Sequence, residues 1–352
     1  MKKIIKITLV TLLILMVLAG VLTWMAFGDL VKGAKSVQKL DDGFYYMEYE
    51  GDDGLDDFLY GGGAKDANEL VQKITYFLSK GYYKPPANPD TSKYGCSTIT
   101  SQTPDHKVLM GRNFDYNDAT CVILRTIPKK GYKNISTFNV NFFGFGEGYV
   151  PEGFQNQYMA LGCLFVALDG INEKGFAIAD LVAGDNVETH QNSGKPSFTT
   201  TAALAYLLKR AATVDEALEL LRGIDMHSDI GIAHHYAISD ASGKSVVVEY
   251  VDNQMVVMKT NAVANHYLCA QKLNVGLMEG DSRYNRLCSF YDEAGGKMDS
   301  LQLTKAICSV SQLPWGSNFI GGTQWTMVMN LTKPSVTYYF KRKFDNPFHF
   351  EL

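Results

Sequence analysis

The residues best suited to do chemistry lie close together in the chain, at Tyr94-Gly95-Cys96-Ser97-Thr98-Ile99 and Gly111-Arg112-Asn113-Phe114-Asp115-Tyr116. Pro104-Asp105 between them is a turn signal, so the two segments read as neighbouring antiparallel strands of a hairpin. Cys96 can then face Arg112 and Asp115 across the pairing. A guanidinium beside a thiol stabilises the thiolate and lowers the thiol pKa. Asp115 can accept a hydrogen bond from an amine or orient one. On these residues alone, a nucleophilic cysteine and a buried cysteine beside a structural ion pair both remain open.

The seven histidines supply the competing chemistry. A Cys–His dyad would draw on His234-His235 or His266, but neither context resembles a cysteine-protease motif. His234-His235 also lacks a spaced partner for a metal, which favours core or surface histidines. Cys96, Cys121, Cys163, Cys269, Cys288 and Cys308 contain no C-x-x-C pair, so cysteine-type zinc and thioredoxin-like sites are unsupported. The acidic run from Gly51 to Phe58 lacks the spacing of an EF-hand loop and reads as a solvated loop. Phe142, Phe143, Phe145, Tyr149, Phe154 and Tyr158 stand among glycines and read equally as a mobile loop able to line an acyl pocket or as a packed loop.

The elements that must position Cys96 are mostly strands. Alternating or β-rich runs predict strands at Cys96–Ser101, Lys107–Phe114, Cys121–Ile127, Asn134–Phe143, Gly162–Ala167, Gly175–Leu181, His235–Ser239, Ser245–Val251, Gln254–Met258, Val263–Leu268, Trp325–Leu331 and Ser335–Phe340. Helices are expected from an Asp66 cap with Glu69 three residues on to about Lys80, over Thr201–Ala212, over Val214–Arg222 behind a Thr213 cap, and over Leu287–Glu293 and Leu301–Val310. Strands, then helices, then strands indicate an α+β layered fold rather than alternating βαβ units. Residues 29–95 read as irregular and acidic apart from the one helix, with Pro85, Pro86 and Pro89 marking a linker before Cys96.

The first residues stand apart. Lys2, Lys3 and Lys6 precede an uncharged run from Ile7 to Phe27, long enough to cross a bilayer and longer than the usual signal-peptide core. The expectation is a membrane helix over 1–27 with the basic flank in the cytoplasm and the rest outside. Ala26 and Gly28 keep a cleaved signal segment, and hence secretion, open. The formal net charge of the 352 residues is −4, which argues against a broad nucleic-acid-binding surface. It divides into +3 for residues 1–27, −4 for an acidic segment over 28–95 and −3 for 96–352.

Further motifs follow in order: Asp169-Gly170-Ile171-Asn172-Glu173-Lys174-Gly175-Phe176, Val263-Ala264-Asn265-His266-Tyr267-Leu268, Asp281-Ser282-Arg283-Tyr284 and Trp325-Thr326-Met327-Val328-Met329-Asn330-Leu331. With Cys96 sixteen positions before Arg112 and nineteen before Asp115, the set resembles the choloylglycine hydrolase (linear amide C–N hydrolase) family. That family belongs to the N-terminal-nucleophile hydrolases and includes bile salt hydrolases, penicillin V acylases and related acid-ceramidase-type amidases. The likeness runs from about Cys96 to Phe340. It implies a four-layer αββα sandwich over 96–352 and cleavage before Cys96, which frees an α-amine to act as base. The 28–95 segment would then be a discarded pro-segment or a retained small chain. It also implies that Cys96 forms a thioester with the acyl group of a small N-acyl amide. Asp115 would hold the amine and Arg112 would steady the thiolate. Asn265 would donate to the oxyanion with a backbone N–H near Leu181 and Val182, and Arg283 would complete the polar site. Neither a metal nor an organic cofactor is implied. An acyltransferase using the same cysteine is the enzyme rival. The rival from another class is an inactive membrane-anchored binding protein on the same scaffold.

Overall fold

The computed structural model describes residues 2–81, 95–145, 148–229, 231–278, 281–314 and 322–352. The proline-marked linker lies outside the described residues. Helix α1 covers Lys2–Lys35. It is followed by β1 (Gln38–Asp41), β2 (Phe44–Gly51), α2 (Leu55–Tyr60) and α3 (Ala67–Leu78). The central strands are β3 (Gly95–Gln102), β4 (Val108–Tyr116), β5 (Cys121–Pro128) and β6 (Asn134–Asn139), then α4 (Phe154–Met159), β7 (Asp169–Asn172) and β8 (Ala177–Val182). Next come β9 (Ser197–Thr199), α5 (Thr200–Arg210), α6 (Val214–Arg222), β10 (Asp225–His227), β11 (His234–Ser239), β12 (Ser245–Val251), β13 (Gln254–Lys259) and β14 (Ala262–Val263). The chain closes with α7 (Arg283–Glu293), α8 (Ser300–Ser309), β15 (Gly322–Asn330), β16 (Ser335–Phe340) and β17 (Phe348–Glu351).

Two sheets stack face to face. One has nine strands in the order β1-β2-β5-β6-β7-β8-β11-β12-β13, the other six in the order β14-β3-β4-β15-β16-β17. Polar contacts cross between them, such as Thr137 with the Tyr338 hydroxyl at 2.7 Å. Helix α5 covers the nine-stranded sheet over β6–β8, and α8 covers the six-stranded one at β3 and β4. The outer layer of α7 and α8 has its own core of Ile99, Leu109, Leu287, Leu303, Ile307 and Val328. The result is the four-layer αββα sandwich. Strands buried on both faces lose the polar–apolar alternation of a half-exposed strand: every residue of β4, β8, β11 and β12 is buried.

Local chemistry sets several boundaries. The Asp66 carboxylate caps α3 by accepting from Glu69 N at 2.8 Å, while Glu69 reaches Lys65 N rather than the cap residue itself. Thr213 caps α6 in the same way at 3.2 Å, and Asp299 with Gln302 forms a full capping box on α8. Four expectations change, the first being that the strand expected over 134–143 ends at Asn139 and gives way to a 3₁₀ turn over Val140–Phe143. Residues 160–164 form a 3₁₀ turn instead of the strand expected over 162–167. A short apolar run does not declare its period, and Gly162 lies so close to the Phe143 ring that an added Cβ would sit 2.9 Å from it. The strand expected over 263–268 stops at Val263, because the chain leaves the sheet there. The stretch from 29 to 81 is not irregular. Its strand β2 pairs in parallel with β5 over eight residue pairs, and α3 buries Leu70, Val71, Ile74 and Leu78. Its acids are largely paired rather than free in solvent: Asp53 meets Lys209 at 2.9 Å with both side chains nearly inaccessible, and Asp56 is held by Lys130 and Arg210.

Candidate active site

Strand register places Gly95 opposite Asp115, Cys96 opposite Phe114 and Thr98 opposite Arg112. Alternation then puts the Cys96 side chain on the face of Arg112 and Phe114. The Asp115 carboxylate lies on the other face, beside Gly95: a Cβ on Gly95 would stand 3.5 Å from Asp115 Oδ2 and 3.6 Å from Asn265 Oδ1. The hairpin therefore brings both Arg112 and Asp115 to residue 96, but to different parts of it, the thiol and the main chain respectively.

The main chain of Cys96 is gripped by residues distant in sequence. Its N–H donates to Asn265 Oδ1 at 2.6 Å, and its carbonyl accepts from Arg283 Nη1 at 3.1 Å. The same Arg283 nitrogen donates to Asp115 Oδ2 at 3.0 Å, and Nη2 donates to Asn265 Oδ1 at 3.0 Å. Arg283 is in turn held in a two-pronged pairing by Asp281, through Nε at 3.0 Å and Nη2 at 2.8 Å, a geometry that fixes a guanidinium plane. Thr323 Oγ1 donates to the other Asp115 oxygen at 2.6 Å. Asn265 Nδ2 donates to the Val182 carbonyl at 2.7 Å. So Cys96, Asp115, Asn265, Arg283 and Val182 form one connected group. Val182 enters it through its carbonyl. Leu181 pairs with His235 on β11 and has a fully buried side chain.

Arg112 ties the two sheets together. Its Nε donates to Asp169 Oδ2 at 2.6 Å, its Nη2 to the Asp180 carbonyl at 3.1 Å, and its Nη1 to the Asn113 carbonyl. Trp325 Nε1 donates to the same Asp169 oxygen at 2.9 Å, and the Trp325 ring stacks on Phe114 with centroids 4.0 Å apart. Three sequence motifs thus meet at Asp169, none adjacent to another in the chain. Asp169, Asp281 and Thr323 were not assigned roles from sequence. Asp281 and Asp169 stand inside motifs that were noticed, and the missing signal was their partner.

The charges do not titrate as the hairpin alone suggests. Burial pushes the Cys96 thiol up to about 12, outweighing the opposing pull of the Arg112 charge and hydrogen bond. The expectation of a lowered thiol pKa is therefore corrected for this uncleaved chain: desolvation of the thiolate wins. Burial likewise raises the Asp115 carboxyl, against Arg283 and Thr323. Burial also acts to raise Asp281, but the Arg283 hydrogen bond and charge carry it below its ordinary value. At pH 8 a thiol of pKa about 12 is ionised in only about one molecule in ten thousand. Uncleaved protein should therefore alkylate at Cys96 far more slowly than an ordinary cysteine. Timed iodoacetamide labelling with peptide mapping checks this, and labelling as fast as free cysteine would contradict it.

The other candidates are packed elsewhere. His234 Nδ1 lies 3.1 Å from Asp180 and His235 Nδ1 3.2 Å from Glu249. His266 stands edge-on to Tyr284 with centroids 5.1 Å apart. Of the aromatic segment, Phe143 and Tyr149 are buried and Phe142 contacts the rings of Phe114, Tyr116 and Phe138, as the packed reading expects, while Phe154 is exposed. All six cysteines are unpaired.

Residues 96–266 match the family model described as linear amide C–N hydrolases, choloylglycine hydrolase family. The match begins on the residue around which the group is assembled. Over residues 96–266 the chain is similar to the choloylglycine hydrolase family. Among curated relatives, a penicillin V acylase of Pectobacterium atrosepticum is 31% identical over 100 residues, 25% of this chain and 26% of that protein. A bile salt hydrolase/transferase of Clostridium perfringens is 25% identical over 215 residues, 55% of this chain and 60% of that protein. The chain thus spans 26% and 60% of the curated relatives' lengths in these matches. The fold of a penicillin V acylase from Agrobacterium tumefaciens superposes with a TM-score of 0.53 at 18% identity, covering 73% of this chain and 86% of that one. Asn265 and Arg283 are separated by only a short excursion. Lys272 in it pairs with Asp185 at 2.7 Å and keeps the loop against the end of β8.

Proposed function

We propose that the protein hydrolyses the linear amide bond of small N-acyl substrates through a thioester on Cys96. The observation that carries this reading is the grip on the Cys96 main-chain nitrogen. Asn265 accepts from it at 2.6 Å, and Asp115 lies beside Gly95, whose removal would expose that nitrogen. A structural cysteine has no use for a carboxylate, an amide and a guanidinium around its backbone nitrogen. A nucleophile that uses its own α-amine as base does. Gly95 also admits this crowding, since a Cβ there would come within 3.3 Å of the Asp115 Cβ.

Hydrolysis of the Gly95–Cys96 bond gives residue 96 a free amine with a pKa of about 7.7–8.0, suited to proton transfer near neutral pH. The amine takes the thiol proton, and the thiolate attacks the substrate carbonyl carbon. Asn265, released from one of its present partners, donates to the resulting oxyanion. The C–N bond breaks as the ammonium returns its proton to the leaving amine. Water deprotonated by the same amine then cleaves the thioester and releases the carboxylic acid. Asn265→Ala should lower kcat by about 10²–10³, read from initial rates on any hydrolysed acyl amide; a loss confined to KM would remove Asn265 from the oxyanion role. N-terminal sequencing of purified active protein tests the amine itself. A mature chain beginning at Cys96 supports the mechanism, and full activity from a chain intact at 95–96 would overturn it.

Residues 28–95 suit a retained small chain better than a discarded segment. Strand β2 is hydrogen-bonded into the nine-stranded sheet between β1 and β5, and the buried Asp53–Lys209 pair links it to α5. The α1 helix suits a retained anchor: its exposed apolar stretch continues without a break into turns that bury Leu30 and Ala34. Gly28, beside the only weak cleavage signal, is helical and buried. A second reading, acyl transfer to an amine instead of water, is favoured by the bile salt hydrolase/transferase relative. Product analysis with and without an added amine acceptor separates the two.

A further inference from the structure

The single helix that carries the apolar stretch also fixes how the catalytic domain stands. Residues 6–26 of α1 are exposed, and its last turns are sealed into the fold. Leu30 and Ala34 are buried, and a Cβ on Gly33 would meet Tyr49 and Leu161 at 2.8 and 3.0 Å. At 1.5 Å per residue, Trp24 is only about 9 Å along the axis from Leu30. No flexible tether intervenes, so a bilayer that holds α1 also holds the domain's orientation.

Strand β2 gives the direction. It runs back along the end of α1: the Ser36 hydroxyl accepts from Glu48 N at 2.8 Å, and the Asp29 carboxylate would lie 2.7 Å from a Cβ on Gly51. The C-terminal end of β2 therefore points toward the apolar stretch and its N-terminal end points away. The catalytic group lies at the far end. Asp115 accepts from Thr323, the next residue's carbonyl accepts from Lys341 N at 2.7 Å, and Lys341 Nζ reaches Asp118 at 3.0 Å. That lysine lies against the turn between β1 and β2, with Nζ 3.9 Å from the Cβ position of Gly43. From Gly51 to Phe44 a strand covers about 23 Å, which a helix tilt of about 20° does not undo. The end nearest the apolar stretch is instead charged, with Asp29 pairing Lys129 at 3.7 Å.

From this geometry we infer that the membrane-held enzyme presents its catalytic group away from the bilayer and takes water-soluble N-acyl amides from the aqueous phase, not lipid amides of its own membrane. The inference rests on the amidase and anchor readings above. An acyl chain seated in that bilayer would have to leave it entirely to reach Cys96, losing its apolar surroundings one methylene at a time.

The test uses the full-length protein in phosphatidylcholine vesicles. Fluorophores are placed through Asp118→Cys and Lys129→Cys, both exposed positions outside the catalytic group, with unsubstituted protein as the blank and a headgroup-attached quencher in the lipid. Strong quenching at 129 and little at 118 is expected. Equal quenching, stronger quenching at 118, or none at either position overturns the orientation. In parallel, amides with one head group and either a short, soluble acyl chain or a bilayer-embedded sixteen-carbon chain are compared. The embedded amide should turn over about tenfold more slowly or worse, a barrier difference of about 1.4 kcal/mol; equal or faster turnover overturns the substrate class. If no acyl amide is hydrolysed at all, the amidase reading fails, while the quenching result still decides the orientation.

Discussion

Cys96→Ala is expected to lower kcat on acyl amides by about 10⁶, the scale on which covalent hydrolases lose rate without their nucleophile. It should also leave the chain uncleaved at 95–96. The thiol supplies the only bond to the acyl group in the proposed reaction, and no neighbouring side chain can take that place: Asp115 is committed to Arg283 and Thr323. Folding should survive. The substitution removes one atom from a fully buried site, at a cost of about 1 kcal/mol for a cavity of methyl size. The measurement is single-turnover product release together with intact-mass detection of an acyl adduct. Wild type should show the adduct and the variant should not. An alanine variant that keeps its activity with an unchanged thermal transition would sink the amidase reading.

Arg112→Met should be the most damaging substitution for stability, lowering it by about 3–5 kcal/mol. Arg112 and Asp169 are both fully inaccessible and 2.6 Å apart. Removing the cation strands a buried carboxylate, to which Trp325 Nε1 still donates. The pair also joins β4 of one sheet to β7 of the other, so its loss loosens the stack that holds Cys96 above Arg112. For a domain of this size the apparent Tm should fall by roughly 10 °C. The control is Asp169→Asn combined with Arg112→Met, which removes both charges. If the loss is an unpaired charge, the double variant recovers part of the stability. Equal losses in the single and double variants would instead assign the effect to packing of the arginine stem.

Much of the layered architecture was legible because it is written in short-range physics. The hairpin of β3 and β4 showed in a turn signal between alternating residues, and α6 was bounded correctly from one threonine cap and its amphipathic spacing. Misreadings arose where a segment's state depends on what it meets. Residues 160–164 have the composition of a strand, but the close approach of Phe143 to Gly162 shapes them. Strand β2 was hidden by the acids around it. Its buried positions Phe44, Tyr45, Met47 and Tyr49 make sense only once β5 lies beside it. The candidate site divides in the same way. Cys96, Arg112 and Asp115 follow from one hairpin, while Asn265 and Arg283 came to notice only through resemblance, because no local pattern ties them to residue 96.

The sequence by itself determined the strand of Cys96, its two hairpin partners, the apolar first helix and the family resemblance. These depend on spacing within a few residues or on motif order, which a linear chain displays directly. Only the tertiary structure decided which atom each group serves. Asp115 turned out to attend the main chain of residue 96 rather than its thiol, because pairing register assigns the two strand faces. Asp169 became the partner of Arg112 because two sheets stack. The thiol pKa rose rather than fell because burial is a property of every atom around Cys96, and one neighbouring charge does not offset it. The direction in which the site faces relative to α1 was likewise settled by β2 folding back along that helix, a contact between parts of the chain that no local sequence pattern specifies.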